Sequence, residues 1–142
     1  MADAPSSSAT TDTKDIVKIC ENNWNKWKHD CSGFLKAVAS DLGISLSGNA
    51  NMIIDTMNRA PWTQLDDDKD SAVKYASLGY LVVAGLKEKN HGHVVVIVPG
   101  PSDPYPNGYW GQFGGTGRKN ARISLSWKPS ALKDVQYYAI QP

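Results

Sequence analysis

Cys31 stands in the run Asp30-Cys31-Ser32-Gly33-Phe34, and His93 stands in Gly92-His93-Val94-Val95-Val96. A thiol becomes a good nucleophile at neutral pH when a base or an electropositive helix end lies beside it. This pair of runs supplies a candidate for each. Asp30 is a favoured helix N-cap, which puts Cys31 at the first helical position. Unsatisfied backbone N–H groups and the positive end of the helix dipole then surround the sulfur and favour thiolate. A neighbouring imidazolium adds to that effect. The same N–H groups could receive the oxyanion of a tetrahedral intermediate, where losing one donor costs about 3 kcal/mol. The chemistry is acyl transfer through a thioester.

Three histidines compete for the role of base. His29 is two residues from Cys31, but closeness in the chain does not aim a ring, and a helix end explains it. His91 falls in the polar connection 87–92. His93 opens a β-branched run and shares strand parity with Val95 and Ile97. If the Cys31 helix packs on that face, His93 meets the sulfur. A third polar group normally orients such a histidine. Asn107, Gln112 and a backbone carbonyl in 109–111 are the candidates.

The elements that must position these residues follow from periodicity. Ile16, Val17, Ile19, Cys20, Trp24 and Trp27 have helical spacing over 14–28. A second helix is predicted over 31–42, with Gly43 just past its end. A third covers 49–58, with Met52, Ile53 and Met57 inward and Pro61 beyond it. Asp66-Asp67-Asp68 belongs to a loop over 62–69 and is read as a solvated turn that caps a fourth helix over 69–77. Strands are predicted over 80–86, 93–98, 107–113, 123–127 and 135–140. Helices first and strands after make an α+β domain with a mainly antiparallel sheet of about five strands.

Composition narrows the function classes. The chain has 142 residues, 41% hydrophobic and 20% charged, with a formal net charge of +1. That is enough chain for one domain with a core. No basic stripe points to nucleic acid, and the longest apolar runs are too short to span a bilayer. The N-terminus lacks the basic and apolar regions of a signal peptide. Residues 1–13 are rich in Ser, Thr and Ala and are expected to be a flexible leader, with the domain over 14–142. Two cysteines are too few for a disulfide framework, and Cys20, among Ile16, Val17 and Trp24, is expected to be a buried, reduced thiol. No metal-ligand spacing is present, and no metal or cofactor is expected.

The cysteine and histidine runs together resemble the NlpC/P60 cysteine peptidases. In that papain-like fold a cysteine helix packs on an antiparallel sheet that carries the histidine. Asn23-Trp24, Leu42-Gly43-Ile44, Gly48-Asn49-Ala50-Asn51, the stretch 81–87 and Tyr105-Pro106 are similar to one branch, the type VI secretion amidase effectors of family one. The resemblance runs from about residue 16 to residue 112. It implies an enzyme that cuts the γ-D-glutamyl–meso-diaminopimelate bond of peptidoglycan stem peptides. It implies Cys31 as nucleophile and His93 as base, then acid. Ser32 and the Cys31 backbone fall on the oxyanion side, and Asn49, Asn51 and Gly92 in the substrate groove. The branch's third polar position falls near Tyr109 and Trp110, which leaves Asn107, Gln112 and the Trp110 backbone open. The implied partners are the secretion machinery and an immunity protein that blocks the active site. The implied state is a monomer, made in the cytoplasm and delivered without a signal peptide to the periplasm of target bacteria.

Two other readings use the same residues. Trp62, Tyr105, Tyr109 and Trp110, if exposed, could stack on sugars in a non-catalytic wall-binding module. A thiol enzyme of this fold could also pass its acyl group to an amine instead of water.

Overall fold

A computed structural model describes residues 5–142, with side chains described from Ile16 onward. Helix α1 (Pro5–Trp27) begins inside the stretch expected to be a leader. Pro5 takes the first helical position, where a missing N–H costs nothing. The first four residues lie outside the described part of the chain. Helix α2 is Cys31–Asp41, α3 is Ala50–Met57 and α4 is Lys69–Ser77. Each of the last three starts on a side-chain cap: Asp30, Asn49 and Asp68 accept from the N–H groups of Gly33, Met52 and Ser71. Gly43 follows α2 with φ +78°, the left-handed conformation that a glycine accepts without strain.

Among the described residues the sheet has six strands, one more than the roughly five expected. They are β1 (Thr63–Asp66), β2 (Leu81–Leu86), β3 (His93–Ile97), β4 (Asn107–Trp110), β5 (Arg118–Arg122) and β6 (Gln136–Ile140). Their order is β1-β6-β2-β3-β4-β5, and every neighbouring pair is antiparallel. The two strands missing from the sequence reading, β1 and β5, are the two edges. Both are polar, so a hydrophobic alternation does not reveal them. The strand expected over 123–127 is instead a 3₁₀ turn over Ile123–Leu125. A short helix α5 (Pro129–Leu132) follows it.

Two apolar layers cover the sheet. On one face Phe34, Leu35 and Val38 of α2 and Ile53 and Met57 of α3 pack with Val83, Val94 and Val96. On the other face Ala72 and Ala76 of α4 pack with Val82, Val95, Ile97, Ile123 and Trp127. The central strands β2 and β3 are therefore covered on both sides, which is why their sequences are continuously apolar rather than alternating. Met52 departs from expectation: it is 54% exposed and lies over Gly48, while Ile54 turns inward.

Candidate active site

The turn between α1 and α2 carries Asp30 and Cys31, and β4 holds it in place. Trp24 Nε1 donates to the Trp110 carbonyl at 3.0 Å. The Lys28 carbonyl accepts from the N–H groups of both Gln112 and Gly117, at 3.0 and 2.7 Å. Gly111 makes this approach possible, because a Cβ there would overlap the carbonyl oxygens of Trp27 and Asp30. Asp30 accepts from the N–H of Gly33 at 3.0 Å and from Ser32 Oγ at 3.1 Å.

β4 pairs with β3 at Tyr109–Val96 and Gly108–Ile97. Continued, that register would bring Gly111 opposite Val94. Instead the chain leaves the sheet, and the start of α2 takes its place. The backbone N–H groups of Val94, Ser32 and Cys31 itself then lie beside the Cys31 sulfur and favour its thiolate. Cys31 thus reaches the residue next to His93 at the end of the sheet.

This is not the route that strand parity implies. Val95 and Ile97 face the α4 layer, whereas Cys31 belongs to the α2 layer. His93 and Cys31 come to one cleft because each stands at the end of its element, not because they share a face. Cys31 is 7% exposed and His93 8% exposed. Both line one cleft of about 240 Å³, with Gln112, Ser126 and Trp127. A second lobe of about 250 Å³ extends from Cys31 past Ser32, Asn49, Asn51 and Gly92. Exposed His91 and Phe113 line both lobes and stack on each other, ring centres 5.1 Å apart.

Burial dominates the electrostatics. It pushes the Cys31 thiol up, and the Asp30 carboxylate adds to that. The three N–H groups at the sulfur pull the other way without overcoming it. Burial alone takes His93 down to about 4. The resting pair is therefore a neutral thiol and a neutral imidazole at pH 7, rather than the ion pair that a helix end and an imidazolium suggest.

The partner of His93 is a residue that sequence reasoning missed. His93 Nε2 is hydrogen-bonded to Ser126 Oγ. The Trp127 indole packs edge-on against the imidazole, centroids 5.0 Å apart. Of the expected orienting groups, Asn107 lies at the far end of β3, where its carbonyl accepts from Val98. The Trp110 carbonyl is taken by Trp24. Gln112 does line the cleft, but Nε2 is bonded to Ser126. In a strand over 123–127, Ser126 would point away from Ile123 and Trp127. The 3₁₀ turn, closed by the Ser126 N–H to the Ile123 carbonyl at 2.8 Å, re-aims it. Nothing in the residue spacing signals this.

Asn49, Asn51 and Gly92 line the second lobe, and the amide oxygens of both asparagines already accept hydrogen bonds. Asn49 Oδ1 caps α3 at Met52 N–H, 2.9 Å. Asn51 bonds the Glu88 backbone through both atoms of its amide. Gly92 is small because a Cβ would overlap Asn51 Oδ1. Ser32 Oγ bonds Asp30, so the group it offers to the sulfur is its N–H. His29 is away from the thiol, its Nδ1 at the Gly115 carbonyl. Cys20 is a free thiol at 0% exposure, its titration pushed far up by burial.

Of the four aromatics of the wall-binding alternative, Trp62, Tyr109 and Trp110 are buried, which leaves the half-buried Tyr105 alone. Among the described residues no cluster of three or more His, Cys, Asp or Glu could hold a metal, and no helix is long and apolar enough to cross a membrane.

No family model matches the chain. Over 136 residues it is 39% identical to peptidoglycan amidase Tse1 of Pseudomonas aeruginosa, an alignment covering 87% of this chain and 87% of that protein. The chain belongs to the Tse1 family of type VI secretion amidase effectors, with their α+β NlpC/P60-like fold.

Proposed function

We propose that this chain is a peptidoglycan amidase whose nucleophile is Cys31 and whose base is His93, acting on the γ-D-glutamyl–meso-diaminopimelate bond of stem peptides. The observation that carries the reading is that two buried groups line one cleft: a thiol at a helix start and an imidazole at a strand start. The relative's name supports the substrate class.

The neutral pair sets the order of steps. His93 takes the thiol proton as the sulfur attacks the scissile carbonyl, so charge develops only in the transition state. The N–H groups of Cys31 and Ser32 face the sulfur and receive the oxyanion. The C–N bond then breaks, the imidazolium returns its proton to the leaving amine, and the acyl group remains on sulfur as a thioester. Water enters, gives its proton to His93 and attacks the thioester. The carboxylic acid leaves, giving its own proton to solvent, and the proton on His93 returns to Cys31. Atoms and charge balance over the two halves. A sacrificial amine in place of water would give acyl transfer instead, and product mass separates the two outcomes.

Residues 14–142 form the catalytic domain. The protein acts in the periplasm of target bacteria, reached through the type VI machinery without a signal peptide. An immunity protein covers the two-lobed cleft. The test is mass spectrometry of purified Gram-negative peptidoglycan digested with wild type and Cys31→Ala. New fragments ending at γ-D-glutamate, made by wild type alone, are expected. Equal fragments from a folded Cys31→Ala protein would overturn the assignment of the nucleophile, and a different fragment end would reassign the bond.

A further inference from the structure

We propose that Ser126 is the positioning residue of this active site: its hydroxyl accepts the His93 Nε2 proton and so keeps the Nδ1 lone pair free for the Cys31 thiol. The inference rests on the reading of Cys31 and His93 as nucleophile and base, and it supplies the third group of that machinery.

A neutral imidazole has one N–H, and which nitrogen carries it depends on the hydrogen bond made by the other. With Nε2 bonded to Ser126, Nδ1 is the ring nitrogen left to exchange a proton with a thiol in the cleft that both residues line. Only the Nε2–H tautomer makes it a base. The Nδ1–H tautomer presents a donor to a thiol that must itself lose a proton. Ser126 is well suited to enforce the choice. Its own N–H is fixed to the Ile123 carbonyl, so the backbone that carries it is rigid. It is only part-buried and lines the cleft, so its hydroxyl proton can point to solvent while the oxygen accepts. Trp127, the next residue, covers the imidazole edge-on and limits its rotation. One turn of chain thus holds the ring in both position and tautomer. Among the described residues no carboxylate is a partner of His93. A neutral orienting group fits a neutral resting histidine, because an adjacent carboxylate would stabilise the imidazolium.

The test begins with the wild-type protein and ¹⁵N-labelled histidine. Long-range ¹H–¹⁵N spectra at pH 7 should show His93 as the Nε2–H tautomer. A dominant Nδ1–H tautomer would overturn the proposal with no variant needed. Next, turnover of a diaminopimelate-containing stem peptide is measured for Ser126→Ala, Ser126→Thr and, as a control, the exposed neighbour Ser124→Ala. Ser126→Ala should lower kcat by roughly 10- to 100-fold with KM little changed, because base catalysis and its orientation are lost while binding is kept. Its His93 spectrum should become a tautomer mixture. Ser126→Thr, which keeps the hydroxyl, should recover most of kcat, and Ser124→Ala should match wild type. Wild-type kcat in Ser126→Ala would remove the positioning role. His93→Ala and Cys31→Ala run in the same assay separate the two claims. If both are inactive and Ser126→Ala is fully active, only this inference falls. If both are active, the underlying reading falls and takes this inference with it.

Discussion

Asn51 of α3 holds the backbone of Glu88 at both of its polar groups. Its amide nitrogen donates to the Glu88 carbonyl at 2.7 Å, and its amide oxygen accepts the Glu88 N–H at 3.2 Å. The loop that leads into His93 is thereby tied to the helix that lines the cleft. Each bond contributes about 1 kcal/mol net, so Asn51→Ala should cost about 2 kcal/mol. Asn51→Asp keeps the acceptor and loses the donor, and should fall between. Urea denaturation midpoints check this, and an unchanged midpoint in Asn51→Ala would contradict it. The variant should also exchange the amides of residues 87–92 faster.

Burial of His93 makes stability depend on pH. Its folded value is about 4, against 6.5 for an unperturbed histidine. Between those values the unfolded chain binds the proton and the folded protein does not. Stability is therefore full above pH 6.5 and falls as pH drops toward 4, with a slope approaching about 1.4 kcal/mol per pH unit. His93→Gln should remove this slope while leaving the contribution of the carboxylates. Urea titrations of both proteins at several pH values test it; parallel curves would refute it. The acid limb of kcat/KM should lie near 4 for the same reason.

The two thiols should separate by reactivity. Cys31 borders an open cleft, while Cys20 has no exposed surface. Iodoacetamide should therefore place one adduct on the native protein, at Cys31, and two on the protein unfolded in urea. Because burial holds the Cys31 thiol above its ordinary value of 9.0, its labelling rate should keep rising beyond that pH. Peptide mass spectrometry locates the adducts, and native labelling of Cys20 would contradict the burial.

Gly111→Ala tests the pinning of the cysteine turn. The added Cβ would meet the Asp30 carbonyl oxygen at 2.5 Å, and backbone must move to admit it. A loss of about 1–3 kcal/mol is expected, as for other overpacking changes. Activity should fall as well, since the displaced turn carries Cys31. Gly115→Ala, where the nearest atom is Gln112 Cγ at 3.5 Å, is the matched control and should be close to neutral.

The buried parts of this molecule were legible in its sequence, and the edges were not. Helices α2 and α4 follow their caps and apolar spacing nearly to the residue, because Asp30 and Asp68 are strong local signals. Strand β2 and, after His93, strand β3 are apolar throughout, so length and β-branching reveal them. Strand β5 has the sequence Arg-Lys-Asn-Ala-Arg and is defined by its pairing with β4, which is a non-local fact. Cys31 and His93 stand out by their local contexts. Ser126 is 33 residues from His93 and becomes its neighbour only through a 3₁₀ turn that resembles a strand in sequence. The face on which His93 lies could be deduced from parity, but the departure of β4 at Gly111 could not.

The charges that conceal β5 also bear on how the molecule meets its own copies. An outermost strand offers unpaired N–H and C=O groups on which another chain can add. Arg118 and Arg122 place like charge at the two ends of that edge, and Asn120 breaks its extended path at φ +46°. The opposite edge, β1, is only four residues long and bends at Asp66, φ +54°. Growth of the sheet from one molecule into the next is thus opposed at both ends, so the chain can be held at high local concentration without polymerising through its strands.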